Sequence, residues 1–282
     1  MTTPFEVIFD GALIRGESDG FGLPIVFLHA GVADRRMWAG QMQLLADEGY
    51  HVVSYDRRGY GETTSEDIEF NHLIDLEAVL DQLSIHAAIF VGSSMGGGLA
   101  IDFALEHPER TVALVLMGTA VTGAEGYETD EDVQQLEEAA EYALERGNIG
   151  TANRIQAHLW LDGPYGEAGR VEGPARELFP AMNEIHLNHS PLEQEERPES
   201  AFDSLHTINA PTLLVAGALD CADIIALHED LSEEIENAFA VVLEDTAHFP
   251  SLERPDLFDP ILLEFLDAVT GQGDDDEDEE EG

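Results

Sequence analysis

The sequence predicts an α/β fold, with a mostly parallel sheet of about eight strands, helices on both faces and a helical insertion. Three observations support this prediction. Short, almost wholly apolar runs alternate with amphipathic stretches, a pattern typical of strands buried on both faces. The alternation stops at about residue 120, where only helical patterns follow. It resumes after about residue 205.

The chain opens with a predicted hairpin and continues with alternating strands and helices. Residues 5–14 alternate between apolar and other side chains around Asp10-Gly11, a dipeptide that favours tight hairpin turns. Apolar runs predict strands at 24–29, 51–55, 86–91, 111–117, 211–216 and 238–243. Apolar residues at helical spacing predict helices at 37–48, 70–83, 99–107, 224–235 and 255–269.

The insertion is predicted to be entirely helical, with helices at 130–146, 151–161, 173–188 and 192–205. The chain therefore divides into three parts. A core domain comprises residues 1–119 and 206–270, and a helical cap, or lid, comprises residues 120–205. The remaining segment, 271–282, is an acidic tail that we predict to be disordered, because its charged residues cannot bury a core.

The charge of the chain is unusual. Twelve basic residues oppose 59 acidic ones, so the net charge is −47, and lysine is absent. Leaving out the eight consecutive acids at 274–281 still leaves −39, so the bias extends through the folded part. At molar salt the Debye length falls to about 3 Å and screens such repulsion. The composition resembles that of proteins from extremely halophilic microbes, and it predicts a protein that needs high salt to stay folded.

Composition also limits the partners and the location. A strongly acidic surface repels nucleic acid and anionic membranes, so we expect neither as a partner. No apolar run approaches 18 residues, and the start of the chain lacks the basic and apolar regions of a secretory signal. Cys221 is the only cysteine, which excludes internal disulfides. We expect a cytoplasmic protein, and its oligomeric state remains open.

A glycine-rich turn holds the first candidate catalytic residue. Gly92, Ser94 and Gly96 form the pattern G-x-S-x-G between an apolar run and an amphipathic run, which predicts a strand-to-helix turn. A serine on so tight a turn needs small neighbours, and its hydroxyl stands clear of the sheet beside a helix N-terminus. A serine hydroxyl is a weak nucleophile, so it requires a base and a third group that orients the base.

Asp220 and His248 are the candidates for those two roles. Each directly follows a predicted strand, and loops after parallel strands meet at one edge of the sheet. Asp203 and Asp223 are alternative acids, but neither immediately follows a strand. The expected order along the chain is therefore serine, aspartate, histidine.

These residues carry a family resemblance. The chain resembles the α/β-hydrolase superfamily over about residues 5 to 270, in particular its esterase-like members with a helical cap. The resemblance depends on residues 28–31, 56–61 and 92–97 and on the Asp220 and His248 loops. It implies that Ser94 is the nucleophile, that His248 is the general base and then acid, and that Asp220 orients the imidazole. It also implies an oxyanion hole formed by the backbone amides of Met95 and Gly31, although Ala30 stands where the family usually has glycine.

The resemblance implies hydrolysis of a small carboxylic ester or lactone through an acyl-enzyme, with no metal or organic cofactor. Relatives that release halide or open epoxides carry aspartate where this chain has Ser94. Two alternatives remain open. A hydrolase that cleaves carbon-carbon bonds, or one that acts on 3-oxoadipate enol-lactone, uses the same three residues. A ligand receptor on the same fold binds without turnover.

The cap is expected to determine the substrate. Four apolar side chains are candidates for lining its pocket, and they are Trp160, Leu161, Phe179 and Phe202. The alternative for each is packing in the core of the cap, which we favour for any single one of them. Arg154 or Arg176 is a candidate anchor for a substrate carboxylate. His186 and His189 have the spacing of a metal pair but lack a carboxylate partner at fixed spacing, so we predict no metal site. Cys221 is interpreted as a buried thiol.

Overall fold

One sheet of nine strands organises the protein in the computed structural model, which describes residues 2–127, 129–196 and 200–271. The strands are β1 Thr3–Phe9, β2 Ala12–Asp19, β3 Pro24–Leu28, β4 His51–Tyr55, β5 Thr64–Ser65, β6 Ala88–Ser93, β7 Thr111–Met117, β8 Thr212–Gly217 and β9 Ala238–Leu243. The predicted hairpin is confirmed, because β1 pairs with β2 in antiparallel fashion around Asp10 and Gly11. Strand β5 has two residues and pairs only with β2.

The order of the strands creates a crevice at the carboxyl edge of the sheet. The order is β1-β2-β4-β3-β6-β7-β8-β9, and the strands from β4 through β9 along this path pair in parallel. The chain passes from β3 to β4 on one side and later returns to place β6 on the other side of β3. Ligand sites in open α/β sheets lie at such a reversal of strand order. The segments that follow β3 and β6 flank this reversal.

Nine α-helices lie within the described ranges. They are α1 Ala39–Asp47, α2 His72–Gln82, α3 Met95–Glu106, α4 Glu131–Glu145, α5 Ile149–Gln156, α6 Pro174–Asn188, α7 Ala222–Glu234, α8 Pro250–Glu253 and α9 Pro255–Thr270. A π-helical turn, Ala157–Asp162, continues α5. Across these ranges, no helix combines the length and apolarity that a membrane crossing requires.

The two faces of the sheet bury separate hydrophobic cores, as the apolar strands predict. In β3, Ile25 and Phe27 face one core while Val26 and Leu28 face the other, because successive side chains of a strand point to opposite faces. The first core also contains residues of α1, α6 and α9, and the second contains residues of α2, α3 and α7. This burial on both faces explains why the parallel strands appear in the sequence as nearly continuous apolar runs.

The segment between β7 and β8 contains α4, α5 and α6, close to the first three helices predicted for the insertion. The fourth prediction, a helix over 192–205, is wrong. Residues 191–196 form no helix and make a bridge from Glu195 to Phe70, and a 3-10 helix spans Phe202–Thr207. Pro191 and backbone pairing with the 66–70 loop favour an extended chain there. Of the predicted tail, 271–282, all residues after 271 lie outside the described part of the chain.

Candidate active site

Ser94 lies at the junction of β6 and α3 with a strained backbone. Its φ angle is +53°, a conformation that non-glycine residues seldom adopt. A side chain on Gly96 would lie 2.7 Å from the carbonyl oxygen of His29, and one on Gly92 would lie 2.6 Å from the Cα of Gly97. Both positions therefore require glycine, as predicted from the motif. The turn is held by close backbone contacts with the end of β3 and with α3.

The two residues predicted to supply the amides of the oxyanion hole, Gly31 and Met95, lie next to each other. Met95 is the first residue of α3, and first-turn amides of a helix have no acceptor within the helix. Gly31 follows β3 and packs so closely against the Met95 side chain that an added Cβ would clash with the sulfur. The two segments are therefore adjacent across the strand-order reversal.

His29 and the 56–61 loop support the segment that contains Gly31. The Nε2 atom of His29 accepts a hydrogen bond from the Arg57 amide at 3.1 Å, so its Nδ1 carries the proton and donates to the Ala30 carbonyl at 2.8 Å. Burial and the Arg57 charge hold the pKa of His29 well below its usual value, which keeps it neutral. The Arg57 guanidinium donates to the His29 carbonyl at 2.9 Å. These contacts give His29 a structural role in this loop.

His248 and Asp220 meet in a buried hydrogen bond. The Nδ1 of His248 lies 2.7 Å from Oδ2 of Asp220, and the two side chains are 2% and 1% exposed. The other carboxylate oxygen, Oδ1, accepts the amide of Cys221 at 2.8 Å. Because an ionised carboxylate only accepts hydrogen bonds, Nδ1 carries the ring proton and the lone pair of Nε2 is available as a base.

The end of β7 connects the serine turn to this pair. The Ser94 amide donates to the Met117 carbonyl at 2.8 Å, and the Ala120 amide donates to the Ser94 carbonyl at 3.3 Å. Between those residues lies Gly118, where an added Cβ would be 2.9 Å from the His248 ring and 3.3 Å from Asp220 Oδ2. Ser94, Asp220 and His248 are thus all neighbours of the segment 117–120. Sequence reasoning missed the requirement for glycine at position 118.

The charges around His248 favour its protonated form, so its pKa lies above that of free histidine. Burial by itself would lower the pKa of His248, but the charge and hydrogen bond of Asp220, with smaller contributions from Glu253 and Asp223, raise it overall. A base with a raised pKa becomes neutral, and so competent, only at higher pH. The adjacent Cys221 is 1% exposed, and burial and the neighbouring acids raise the pKa of its thiol. It is a buried free thiol, as interpreted from the sequence.

The helical insertion contacts His248 through Trp160. The Trp160 ring lies 4.8 Å from the His248 ring, and the Trp160 carbonyl accepts the His248 amide at 3.3 Å. The other predicted pocket residues lie elsewhere. Leu161 and Phe179 are fully buried in the first core, and Phe202 packs against Tyr127 beside the second. Of the four, Trp160 is the one whose ring packs against the imidazole.

A cavity of about 260 Å³ opens beside Met95, on the side of α3 that faces α2. Its apolar lining includes Leu99 and Val121, and its ionisable lining comprises Arg57, His72, Asp102, Glu195 and Glu196. Burial raises the pKa of Asp102 to about 6. The ionisable groups that line this cavity therefore include more acids than bases.

The arginines and histidines predicted within the insertion have local partners. Arg176 contacts the Asp162 carboxylate and the Val171 carbonyl, while Arg154 is exposed and donates to Thr151. Neither lines the cavity beside Met95. His186 and His189 face the carbonyls of Gly59 and Gly61 at 3.0 and 3.2 Å. No group of three or more potential metal ligands occurs among the residues that the structure describes.

Comparison with known proteins gives a consistent result. Residues 24–255 match the family model described as alpha/beta hydrolase fold. The chain is 27% identical over 240 residues to 3-oxoadipate enol-lactonase 2 of Acinetobacter baylyi, covering 83% of this chain and 85% of that protein. It is also 27% identical over 267 residues to 2-hydroxy-6-oxo-6-phenylhexa-2,4-dienoate hydrolase of Comamonas testosteroni, covering 90% and 91%.

A solved structure supports the same grouping. Est816, described as an N-acyl homoserine lactone degrading enzyme, superimposes with a TM-score of 0.70 at 28% sequence identity. The match covers 92% of this chain and 99% of that one. The similarity therefore extends through the helical insertion as well as the sheet.

Proposed function

The chain belongs to the alpha/beta hydrolase fold family, and from this premise we propose that it hydrolyses small carboxylic esters or lactones with Ser94, His248 and Asp220. The observation that carries the proposal is the buried bond of 2.7 Å between His248 Nδ1 and Asp220 Oδ2, next to a strained serine turn. Hydrolases that act on lactones, or on a carbon-carbon bond, are among the relatives. A base oriented in this way is what a serine nucleophile requires.

Acylation begins when the Ser94 hydroxyl attacks the carbonyl carbon and Nε2 of His248 takes the hydroxyl proton. The carbonyl oxygen becomes an oxyanion, which the amides of Gly31 and Met95 stabilise. Asp220 stabilises the imidazolium and keeps the proton of Nδ1 in place. The intermediate collapses, the bond to the alcohol oxygen breaks, and Nε2 donates its proton to that oxygen. The product is an acyl-Ser94 ester and an alcohol, which in a lactone stays attached to the acyl chain.

Deacylation repeats these steps with water. Nε2 takes a proton from the attacking water, the same two amides hold the second oxyanion, and collapse breaks the ester bond to Ser94. The proton on Nε2 then returns to the serine oxygen, and the carboxylic acid leaves. Each step uses only groups of the chain and water, so the proposal includes no metal or organic cofactor.

We assign the insertion the role of a cap that covers the reacting groups. Trp160 lies against the His248 imidazole, and its carbonyl holds the His248 amide. Excluding water from the ring strengthens its interaction with Asp220 and with the oxyanion. The cap boundaries proposed from the sequence, 120–205, enclose α4, α5 and α6.

We assign the acyl group of the substrate to the cavity beside Met95, whose lining includes the neighbours of Ser94 at Met95 and Ala120, and the charge of this cavity favours neutral substrates. Three carboxyl groups and one arginine line it, so a carboxylate substrate meets net repulsion while an uncharged ester or lactone does not. Its volume of about 260 Å³ suits a small acyl group. We therefore favour hydrolysis of a neutral ester or lactone over cleavage of an acidic dienoate or of 3-oxoadipate enol-lactone. Carbon-carbon bond hydrolysis remains the second candidate, because of the similarity to the Comamonas enzyme.

The test is hydrolysis of short p-nitrophenyl esters and of neutral lactones in about 3 M KCl, a salt concentration that suits the acidic composition. We expect Ser94→Ala to lose about 10⁴-fold or more in kcat, because the nucleophile is removed. Ser93→Ala is the matched control. Ser93 is fully buried beside Ser94, and its hydroxyl has no hydrogen-bond partner among the described residues, so we expect near wild-type rates.

Ester hydrolysis that survives in Ser94→Ala would refute the nucleophile. If wild type hydrolyses no ester or lactone but cleaves a vinylogous diketone, the second candidate replaces the first. If it turns over neither but binds one of these compounds tightly, the protein is a receptor on the same fold.

A further inference from the structure

Three consecutive amides around His248 each donate a hydrogen bond that lies outside the regular hydrogen-bonding pattern of a helix or strand. The Ala247 amide donates to Glu253 Oε2 at 2.8 Å, and the Phe249 amide donates to Glu253 Oε1 at 2.9 Å. Between them, the His248 amide donates to the Trp160 carbonyl at 3.3 Å. A single carboxylate therefore holds the backbone on both sides of the imidazole.

This arrangement exceeds what a helix cap requires. Glu253 ends the short helix α8, and its bond to the Phe249 amide satisfies one N-terminal donor of that helix. One oxygen is enough for that purpose. The second oxygen reaches past His248 to Ala247, which lies outside the helix. The side chain of Glu253 is 1% exposed, so water does not replace either bond.

An arginine from the insertion neutralises the buried carboxylate. Arg170 makes an ion pair with Glu253 Oε2 and also donates to the carbonyls of Asp245, Leu161 and Asp162. The same guanidinium thus contacts the histidine loop, 244–249, and the π-helical turn that contains Trp160. Glu253 and the Trp160 carbonyl thus hold the backbone around His248, and Arg170 links Glu253 to the turn that contains Trp160.

From these contacts we propose that Glu253 is a positioning residue for His248, fixing the imidazole through the Ala247 and Phe249 amides while Arg170 joins the cap to the same carboxylate. The proposal rests on the proposed function. Its reason is geometric: a general base must stay within hydrogen-bond reach of the serine hydroxyl, and a displacement of about 1 Å costs up to about 100-fold in rate.

The charge of Glu253 gives the proposal a second readout. The ionisable groups that act on His248 are Asp220, Glu253 and Asp223, and Arg170 is the cation that faces Glu253. Because the Glu253 carboxylate helps to raise the pKa of His248, removing its charge lowers that pKa. The neutral base then forms at lower pH, so the rise in rate with pH moves to lower pH.

Two substitutions separate position from charge. Glu253→Gln keeps the shape but loses the charge and leaves one of the two amides without an acceptor. We expect kcat to fall about 10- to 100-fold with KM within about twofold, and the midpoint of the pH profile to move to lower pH. Glu253→Asp keeps the charge but is too short to reach both amides. We expect a similar loss of kcat with an unchanged midpoint.

Asp245→Asn is the matched control. It removes an acid from the same loop, but the Asp245 side chain is 86% exposed and its φ angle of +59° suits asparagine. We expect wild-type kcat and an unchanged midpoint, with thermal melts confirming that every variant is folded.

Wild-type kcat in Glu253→Gln, or a midpoint that moves equally in Asp245→Asn, would overturn the proposal. If Glu253→Gln does not fold, Glu253→Asp decides alone, because wild-type kcat in that variant refutes the positioning role. Full activity in Glu253→Gln together with inactive Ser94→Ala would reject this inference and leave the proposed function standing. Activity in Ser94→Ala would reject the proposed function itself.

Discussion

The serine turn, residues 92–98, and the histidine loop, residues 244–249, are held by different forces. The serine turn depends on close backbone contact, where side chains on Gly92 or Gly96 would overlap neighbouring main-chain atoms. The histidine loop depends on buried polar groups, because Asp220, Glu253 and Arg170 supply its partners. One site is therefore specified by shape and the other by hydrogen bonding and charge.

This difference explains why the two turns tolerate different changes. Overlap of backbone atoms cannot be relieved by a side-chain rotation, so the serine turn should be sensitive to size and insensitive to pH. Buried hydrogen bonds fail when a partner is lost or its protonation changes, so the histidine loop should be sensitive to charge. The following predictions test that contrast.

The largest effect is expected at the acid of the histidine site. Asp220→Asn preserves size but presents an amide N–H to His248 Nδ1, which moves the ring proton to Nε2 and removes the base. We expect kcat to fall about 10⁴-fold near neutral pH, equivalent to about 5.5 kcal/mol of barrier. The measurement is ester hydrolysis with purified variants, alongside circular dichroism to verify folding.

Asp223→Asn serves as the control for that experiment. Asp223 also contributes negative charge to His248, but it accepts a hydrogen bond from Thr129 and has no recorded bond to the imidazole. We expect a loss of less than about tenfold. Equal losses in the two variants would mean that general charge, and not the Asp220 hydrogen bond, supports the histidine.

A smaller effect, on stability, is expected at the serine turn. Gly96→Ala places a methyl group 2.7 Å from the His29 carbonyl oxygen and still closer to that of Leu28. We expect a loss of about 3 kcal/mol of unfolding free energy, seen as a melting temperature lower by roughly 10 °C. Gly40→Ala is the control, since an added Cβ there meets nothing within 4 Å and α1 gains a better helix former. Equal melting temperatures for the two variants would contradict the steric account.

The same contrast explains what could be predicted from the sequence. The strand bounds of β4, β7 and β9 were predicted to the residue, because buried apolar runs and steric motifs are local patterns. Ser94, Asp220 and His248 could be named because each follows a strand. Glu253 and Arg170 could not, because their partners are 4 to 83 residues away and acids are abundant throughout the chain.

The helix predicted over 192–205 failed for a related reason. Its apolar and acidic residues allow a helix, but the Phe70 amide instead donates to the Gln194 carbonyl, and the Phe70 carbonyl accepts from the Glu196 amide. Long-range backbone pairing of this kind leaves no local signature. The pocket residues were similarly uncertain, since Leu161 and Phe179 have the same apolar character in a core as in a pocket.

The smallest effect concerns Asp102, a half-buried carboxyl near the serine turn that has no arginine partner, whereas Glu253 pairs with Arg170. Asp102 follows the turn on α3 and lines the cavity beside Met95, and no hydrogen bond or ion pair joins it to other described residues. Burial raises its pKa to about 6, so the folded protein binds its proton more tightly than the unfolded chain does. The ionised form therefore destabilises the fold progressively as pH rises through about 6, and no penalty remains below about pH 4.

Asp102→Asn should consequently stabilise the protein at pH values near 8 by about 1 to 2 kcal/mol, a figure reduced from the full shift because the side chain is partly exposed. The gain should disappear near pH 4, where the carboxyl is protonated in both folded and unfolded chains. Thermal melts at the two pH values measure it, with Glu106→Gln removing an equal charge from an exposed position on the same helix. An equal gain at both pH values, or an equal gain in Glu106→Gln, would attribute the effect to net charge. A gain confined to Asp102→Asn at high pH would show that a carboxylate without a charged partner destabilises the helix that follows the serine turn, whereas Arg170 offsets part of the cost of burying Glu253.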